Sequence, residues 1–446
     1  MHGRLRIEAL EAPALAALAF TASVAGGCAA SRSGPALPAS LQLPQFAQRR
    51  HAGPSLGSPI RHVVIIVQEN RSFDDLWQGY PGADTQAYGY DHKGKKIVLQ
   101  PIGLQAPYDL DHSSAAFFTD YDNGKMDGFD LEGTFGKHGP NPTYGYVPHS
   151  QSKLYFEMAK QYALGDRMFT SHLDASFVSH QYLIAAQAQG SVDLPSGVWG
   201  CDGGSGDTVV TLTQDRTYGP AQQACFDYTT LGDELDGAGL PWRFYAIQTT
   251  DIWSAYQAVS HIRYGSDWAN VIAPNTNFFT DIAGGTLGAV TWIVPSCTNS
   301  DHSGCEGKNG PQWVASLVNA VGESPFWSST QIFVMWDEWG GWYDHVPPPY
   351  EDYDGLGMRV GLLMLGPYVK KKYVTHVQYE HGSILRFAED QFGLAQLSAA
   401  DARANSPEGD AIDFSQAPRA FVPFETKLKA RDFINAPPDR RPPDNT

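Results

Sequence analysis

A buried strand that ends abruptly in polar residues constrains this chain more than any other stretch. Residues 63–67 are all β-branched and apolar, which is typical of a strand that is covered on both faces in a parallel sheet. Gln68, Glu69 and Asn70 follow immediately, at the carboxyl end of the strand, where open α/β sheets bind ligands. A carboxylate next to a carboxamide supplies two oxygen donors for a divalent cation. The alternative is a strand followed by a polar helix cap.

The same pattern recurs towards the end of the chain. An apolar run at residues 332–336 leads directly into Asp337 and Glu338, and two glycines, an Asp-His pair and three prolines follow. Two parallel strands that each present paired oxygen donors at their carboxyl ends can close one metal site from both sides. The second stretch therefore favours a metal site over a helix cap.

These two stretches resemble the signature blocks of a known family. ENRSFD at residues 69–74 and WDEWGGWYDHVPPP at residues 336–349 are similar to blocks of the bacterial phosphoesterase family that holds phospholipases C and related acid phosphatases. The resemblance extends from about residue 60 to 395. It implies an alkaline-phosphatase-like α/β fold, with a mostly parallel central sheet and helices on both faces. It also implies hydrolysis of phosphate esters with one divalent metal ion, which could be Ca, Zn, Mg or Mn.

The resemblance assigns a nucleophile. The family keeps a Thr or Ser, an aromatic residue and Pro-Asn at the start of a helix; Ser176 and Phe177 match the first two positions, whereas Val178 and Ser179 replace Pro-Asn. A hydroxyl at a helix N-terminus suits this role, because the helix dipole and a bound cation both favour its alkoxide. The competing interpretation is that Ser176 is an ordinary N-cap. The order of the motifs favours the nucleophile.

The resemblance also assigns roles to four histidines. His302, in an acid-His block, would protonate the leaving alcohol, while His112 and His261 would bind the phosphate oxygens. His345 would either bind phosphate or orient Asp337 from outside the metal shell. The expected reaction is an in-line attack that forms a phosphoseryl enzyme. The expected metal ligands are Glu69, Asn70, Asp337, Glu338 and Ser176.

Net charge limits the classes of partner. The chain has 446 residues and a formal net charge of -17 at pH 7. This charge disfavours nucleic acid and simple electrostatic docking on anionic membranes, because both require a basic surface. An anionic substrate must then be attracted by a local metal ion and a few cationic groups. The expected partner is a phosphate ester or a phospholipid, and the oligomeric state stays open.

Other functions compete with this one. A non-catalytic, metal-bound surface-binding protein is the alternative from another class. A sulfatase or phosphonate-type hydrolase is a more distant enzyme, because Ser176 lacks the Cys/Ser-x-Pro-x-Arg context of formylglycine sulfatases. Phospholipase C and acid phosphatase are not separable, and the expectation that the extra β domains of the larger phospholipases are absent favours the phosphatase. The aromatic residues of the region between the strands could bind acyl chains or merely pack; they are Trp253, Tyr256, Trp268, Phe278 and Phe279.

The first 28 residues indicate export. Arg4 and Arg6 precede an Ala/Leu-rich segment that is too short to span a bilayer. Cys28 lies in a box that resembles a lipoprotein cleavage site. The protein is thus expected to be periplasmic, anchored to the outer membrane by lipid, or secreted. The expected segments are an export signal at 1–28, a flexible linker at 29–58, a phosphoesterase catalytic domain at 59–436 and a disordered tail at 437–446.

Cysteine usage agrees with export. Without Cys28, four of the five cysteines remain, and an even set in an exported protein favours disulfides. Proximity along the chain suggests the pairs Cys201–Cys225 and Cys297–Cys305. The two other pairings stay open.

Overall fold

The structure is a computed structural model that describes residues 57–173, 175–197, 199–250, 253–439 and 441. The predicted export signal at 1–28, including Cys28, lies outside the described residues, as do all but the last two residues of the predicted linker at 29–58. None of the described helices is both long and apolar enough to cross a membrane.

A central eight-stranded sheet organises the described chain. Its spatial order is β4-β3-β5-β1-β6-β7-β2-β8; β7 runs antiparallel to β6 and β2, and the other neighbouring pairs are parallel. This arrangement confirms the predicted α/β class with a mostly parallel sheet. The strands in chain order are β1 His62–Gln68, β2 Ala163–Phe169, β3 Trp242–Tyr245, β4 Val271–Ile272, β5 Val290–Ile293, β6 Thr330–Trp336, β7 Arg359–Leu365 and β8 Tyr373–Thr375.

Strands β1 and β6 lie side by side in the middle of the sheet. Gln68 at the end of β1 is level with Trp336 at the end of β6, and the N–H of Asp337 donates to the carbonyl oxygen of Gln68 at 3.0 Å. Because the strands are parallel, the residues that follow them leave the sheet at the same edge. The two pairs of oxygen donors, Glu69-Asn70 and Asp337-Glu338, therefore meet at one end of the sheet.

Helices cover both faces of the sheet. On β6 the ring of Phe333 packs 5.3 Å from Phe387 on one face, and the ring of Trp336 packs 5.0 Å from Tyr155 on the other, since strand side chains alternate. The helices are α1 Phe73–Trp77, α2 Ser114–Tyr121, α3 His149–Gln161, α4 Ser176–Ala185, α5 Leu231–Gly237, α6 Ser260–Arg263, α7 Asn277–Ala283, α8 Gly310–Gly322, α9 His381–Phe392, α10 Ala399–Arg403 and α11 Ala430–Ile434.

Short strands and two disulfides shape the segments that connect the strands of the central sheet. Both predicted disulfides, Cys201–Cys225 and Cys297–Cys305, are present. The short strands pair as Tyr88–Tyr90 with Lys96–Val98, Gln100–Pro101 with Gly145–Tyr146, Tyr108–Leu110 with Thr134–Gly136, and Thr208–Thr211 with both Ser191–Val192 and Gln222–Gln223.

The aromatic residues between β3 and β5 belong to the core. Trp253, Tyr256, Phe278 and Phe279 are all buried in the main hydrophobic cluster, against which Trp268 also packs. Their contacts agree with the packing interpretation. They are not an exposed surface for acyl chains.

Part of the predicted disordered tail is held by the loop between β5 and α8. Thr298 donates to Asp439 through its backbone N–H at 2.7 Å and its hydroxyl at 2.6 Å. Arg441 donates to the carbonyl oxygen of Cys305 at 2.8 Å. These bonds order the start of the segment 437–446, while residues 440 and 442–446 lie outside the described residues.

Candidate active site

A cluster of buried polar side chains occupies the carboxyl ends of β1 and β6. The amide nitrogen of Asn70 is 3.4 Å from the hydroxyl of Ser176 and 3.4 Å from Nε2 of His112. The same His112 nitrogen lies 3.8 Å from Oε1 of Glu338. The structure thus brings together all five residues that the sequence predicts as metal ligands, each fully buried: Glu69, Asn70, Ser176, Asp337 and Glu338.

Ser176 is the first residue of α4. The N-cap position belongs to Ala175. The interpretation of Ser176 as an N-cap is therefore wrong, because its backbone already lies inside the helix. Its hydroxyl instead faces the amide of Asn70, at the helix end where the dipole favours negative charge.

The cluster concentrates negative charge out of contact with water. Burial raises the pKa of Asp337 well above its ordinary value, and repulsion from Glu69 raises it further, while the neighbouring His180 and Ser176 lower it. The oxygens Oδ1 of Asn70 and Oδ1 of Asp337 are buried and accept no hydrogen bond from the residues that the structure describes. Buried carboxylates and carbonyl oxygens without donors suit a cation that would satisfy them. The residues present therefore fit a divalent metal ion.

His180 is a member of the cluster that the sequence interpretation missed. Its Nε2 lies 3.0 Å from Oε1 of Glu69 and 3.8 Å from Oδ2 of Asp337. The ligand atoms of these three residues all lie within 4.8 Å of one another. A signal was available in the sequence, because residues four apart share one face of a helix and His180 follows Ser176 by that spacing.

Two further histidines line the same site. The rings of His112 and His302 lie 5.6 Å apart. Nδ1 of His112 bonds to the carbonyl oxygen of Leu110 at 2.7 Å, and Nδ1 of His302 bonds to the carbonyl oxygen of Ser303. A carbonyl oxygen only accepts, so Nδ1 carries the hydrogen in both rings and Nε2 is the nitrogen that exchanges a proton. Asp109 lies 3.8 Å from Nδ1 of His302.

A short disulfide-closed loop carries His302. The Cys297–Cys305 bond closes the loop, and the Asp301 carboxylate fixes its middle by accepting from the Tyr155 hydroxyl at 2.7 Å and from the Trp336 indole at 3.1 Å. Burial raises the pKa of Asp301 to about 6, and the Tyr155 hydroxyl opposes this rise. The loop is therefore anchored to β6 and α3 through the residue before the histidine.

His261 lies outside the described contacts of this cluster. It stands on α6, with its side chain 37% exposed, and its two nitrogens bond to Asp227 at 2.7 Å and Asp233 at 2.9 Å. Burial lowers the pKa of His261, but its bond to Asp227 and the Asp233 charge outweigh this, so the pKa is raised overall. The contacts give no support to the prediction that His261 binds phosphate.

His345 belongs to a different buried network. Its Nδ1 lies 2.6 Å from Asp74, and the ligand atoms of His345, Asp74 and Asp344 are close enough to hold a metal. However, the fully buried guanidinium of Arg359 lies 3.0 Å from Asp344 and 3.5 Å from Asp74. The guanidinium of Arg359 therefore already supplies the positive charge that a metal ion would bring to this cluster. The described contacts of His345 do not include Asp337, so neither role predicted for it gains support.

A cavity of about 1020 Å³ opens beside the cluster at the same edge of the sheet. It is lined by residues that follow β3, β4 and β5, such as Gln248, Asn275 and Asn299, and by the chain segment 428–439. None of the described residues of the acidic cluster lines it. The cavity is thus separate from the predicted metal ligands.

Three relatives of this chain are phospholipases C. Non-hemolytic phospholipase C of Burkholderia pseudomallei is 24% identical over 450 residues, which is 84% of this chain and 60% of the relative. Phospholipase C B of Mycobacterium tuberculosis is 23% identical, over 80% of this chain and 78% of the relative. Non-specific phospholipase C6 of Arabidopsis thaliana is 26% identical, over 82% and 75%. The chain spans about three fifths of the length of the first of these relatives.

Solved structures add only a weak likeness. A protein of the alkaline phosphatase superfamily from Vibrio parahaemolyticus has a TM-score of 0.37 and 9% identity, over 78% of this chain and 70% of that one. Murine ectonucleotide pyrophosphatase/phosphodiesterase 5 has a TM-score of 0.38 and 9% identity, over 76% and 96%. Scores this low carry no argument about function. The profile of the Phosphoesterase family, by contrast, matches residues 60–395, and the chain belongs to that family.

Proposed function

We propose that this protein is a metal-dependent phosphoesterase that works through a phosphoseryl intermediate on Ser176. One observation carries the proposal: the Ser176 hydroxyl, two pairs of buried oxygen donors and two histidines converge where β1 and β6 end. Membership of the Phosphoesterase family supports the reaction class.

Glu69, Asn70, Asp337 and Glu338 would hold the cation beside Ser176. When bound, such an ion lowers the pKa of a neighbouring hydroxyl and stabilises negative charge on phosphate oxygens. Glu338 is oriented for this role, since its Oε2 accepts the N–H of Gly340 at 2.6 Å. Nucleophilic attack and proton transfer are carried out by the protein's own side chains.

His302 carries one proton between the two steps of the reaction, and the Ser176 hydroxyl first releases its own proton to solvent. In the first step the bond from Ser176 Oγ to phosphorus forms and the ester P–O bond breaks, while the protonated Nε2 of His302 gives its proton to the leaving oxygen. In the second step the oxygen of a water bonds to phosphorus and the bond to Ser176 Oγ breaks, while Nε2 of His302 takes up a proton from that water. The product is a phosphomonoester from a diester, or phosphate from a monoester, and Ser176 Oγ regains a proton from solvent.

His112 stabilises charge on the phosphate when its Nε2 also carries a proton, because only the imidazolium can donate from both nitrogens. Its Nε2 points towards Asn70 and Glu338, where the non-bridging oxygens of a phosphate attacked by Ser176 would lie. The site is buried, so electrostatic interactions there are stronger than in water. The Asn70 amide supplies a second donor on the same side.

The substrate we propose is a phosphodiester of the phospholipid type, since the named relatives are phospholipases C. A phosphomonoester is the second candidate. Both disulfides are formed, which agrees with action outside the cytoplasm, because disulfides persist in oxidising compartments.

The test combines Ser176→Ala with a matched serine elsewhere. We expect Ser176→Ala to lower turnover of p-nitrophenyl phosphorylcholine on the order of 10³-fold or more, because the attacking oxygen is lost. Acid quench of the wild type should trap a phosphoserine. The control is Ser152→Ala on α3, a buried serine whose hydroxyl has no hydrogen-bond partner within the described part of the chain, and it should keep full activity.

Comparison with p-nitrophenyl phosphate separates the diester from the monoester, and a chelator tests metal dependence. A loss of only about tenfold in a folded Ser176→Ala variant, without trapped phosphoserine, would indicate a metal-activated water as nucleophile. That result would remove Ser176 from the centre of the mechanism.

A further inference from the structure

His180 contacts the acidic side chains of the cluster directly. Its side chain is 1% exposed, and Nε2 lies 3.0 Å from Oε1 of Glu69 and 3.8 Å from Oδ2 of Asp337. Those two acids come from different strand ends, so the imidazole nitrogen touches both halves of the predicted metal shell. A residue that merely supported one ligand would contact one of them.

These distances match those between ligands that share one ion. Two ligands at right angles on a metal with bonds of about 2.1 Å lie about 3.0 Å apart, and two on opposite sides lie about 4.2 Å apart. The two separations of His180, 3.0 and 3.8 Å, fall within this interval. All three ligand atoms lie within 4.8 Å of one another, so a single ion could contact Nε2 of His180 and both carboxylates.

The start of α4 is held in a position that keeps His180 there. The hydroxyl of Ser179 donates to the backbone oxygen of Asp337, and the amide of Asn70 contacts the hydroxyl of Ser176. Residues on both sides of the helix turn are thus bonded to the two strand ends. His180 and Ser176, four residues apart, face the same point.

A nitrogen donor changes which metal the site prefers. Calcium and magnesium select oxygen ligands, whereas imidazole suits zinc, iron and other first-row transition ions. We propose that His180 is a ligand of the divalent ion and that the site selects a transition metal of the zinc or iron class over Ca²⁺ and Mg²⁺. The inference rests on the metal-dependent function proposed above, and names the class of ion that this function uses.

The experiment compares metal affinities of the chelator-treated full-length protein. Wild type should bind one Zn²⁺ by calorimetry at least about 100-fold more tightly than Ca²⁺. In His180→Gln, whose amide keeps a hydrogen bond to Glu69 but offers no imidazole nitrogen, Zn²⁺ affinity should fall at least about 100-fold while Ca²⁺ affinity changes less than about threefold. His376→Gln, a surface histidine bonded to Asp166, is the control and should bind both ions as wild type does.

A role in hydrogen bonding alone predicts a different pattern. If His180 only oriented Glu69, Zn²⁺ and Ca²⁺ affinities would fall together in His180→Gln, and the proposal would be overturned. Wild type that prefers Ca²⁺ or binds both ions equally would also overturn it, yet would leave the metal-dependent phosphoesterase intact. Wild type that binds no ion and hydrolyses esters in chelator would refute both.

A second measurement does not depend on a His180 variant. In His112→Gln loaded with Cu²⁺, which lacks the imidazole that lies 3.8 Å from Glu338, pulsed electron paramagnetic resonance should still show the modulation that a coordinated imidazole nitrogen produces. If His180→Gln fails to fold by circular dichroism, this spectrum decides. A spectrum with oxygen ligands only would overturn the proposal.

Discussion

Glu389 is a buried acid outside the active site whose protonation sets a pH dependence of stability. It lies on α9 with no exposed surface. Burial raises its pKa to about 11, and repulsion from Asp401 adds to the rise. The Asp401 carboxylate accepts backbone N–H groups of Ser398 at 2.8 Å and Ala402 at 2.9 Å. Glu389 is therefore protonated at neutral pH in the folded chain.

The sign of the effect follows from linkage. The ordinary pKa of Glu389 is 4.5 and its folded pKa is about 11, so above pH 4.5 the unfolded chain releases a proton that the folded chain keeps. Unfolding is then favoured as pH rises, by about 1.4 kcal/mol per pH unit for this one group. Glu389→Gln removes the proton release and should stabilise the fold by an amount that grows at that rate.

The difference between two pH values isolates the electrostatic effect. Between pH 5.5 and 7.5 the stability of Glu389→Gln relative to wild type should rise by about 3 kcal/mol, since any fixed packing cost of the amide cancels. Urea denaturation followed by circular dichroism measures the free energy of unfolding at both pH values. Glu425→Gln, an exposed acid, is the control and should show no such rise. If the stability difference between Glu389→Gln and wild type is the same at both pH values, the conclusion that Glu389 is buried in its neutral form is refuted.

Two further predictions concern the loop of His302 and the arginine network. Replacing both cysteines of the Cys297–Cys305 bond with serine should lower the free energy of unfolding by about 2–3 kcal/mol, measured by thermal unfolding. It should also lower turnover while KM changes less, because the loop that carries His302 is released. Unchanged turnover would show that other contacts hold the loop. Arg359→Met should cost about 3–5 kcal/mol in urea unfolding, since Asp74 and Asp344 would be left buried without their partner, and a neutral result would contradict the ion pairing.

The meeting of Glu69 and Asp337 at one edge of the sheet could be predicted because their positions follow from local pattern. Glu69 and Asp337 each come directly after an apolar run, and parallel strands place such residues at one edge of the sheet. No long-range information was needed beyond the direction of the strands. The disulfides were predictable for a similar reason, since their partners are 24 and 8 residues apart.

The roles of the histidines depend on partners that the sequence does not reveal. His261 is bonded to Asp227 and Asp233, which lie 34 and 28 residues away, and such pairs follow no periodic pattern. His180 was missed for a different reason. Its relation to Ser176 follows from helix periodicity. However, the resemblance to the family departs at positions 178 and 179, so it assigns no role to the residue that follows them.

The two buried acid-histidine clusters show why composition alone does not identify a metal site. Each combines two carboxylates and an imidazole from nearby elements. In one, Arg359 offsets the charge, so burial raises the pKa of Asp344 only to about 6. In the other, burial and Glu69 raise the pKa of Asp337 well above its ordinary value. No guanidinium is among the described contacts of Asp337, and in the proposed function a divalent cation would take the place that the guanidinium has beside Asp344.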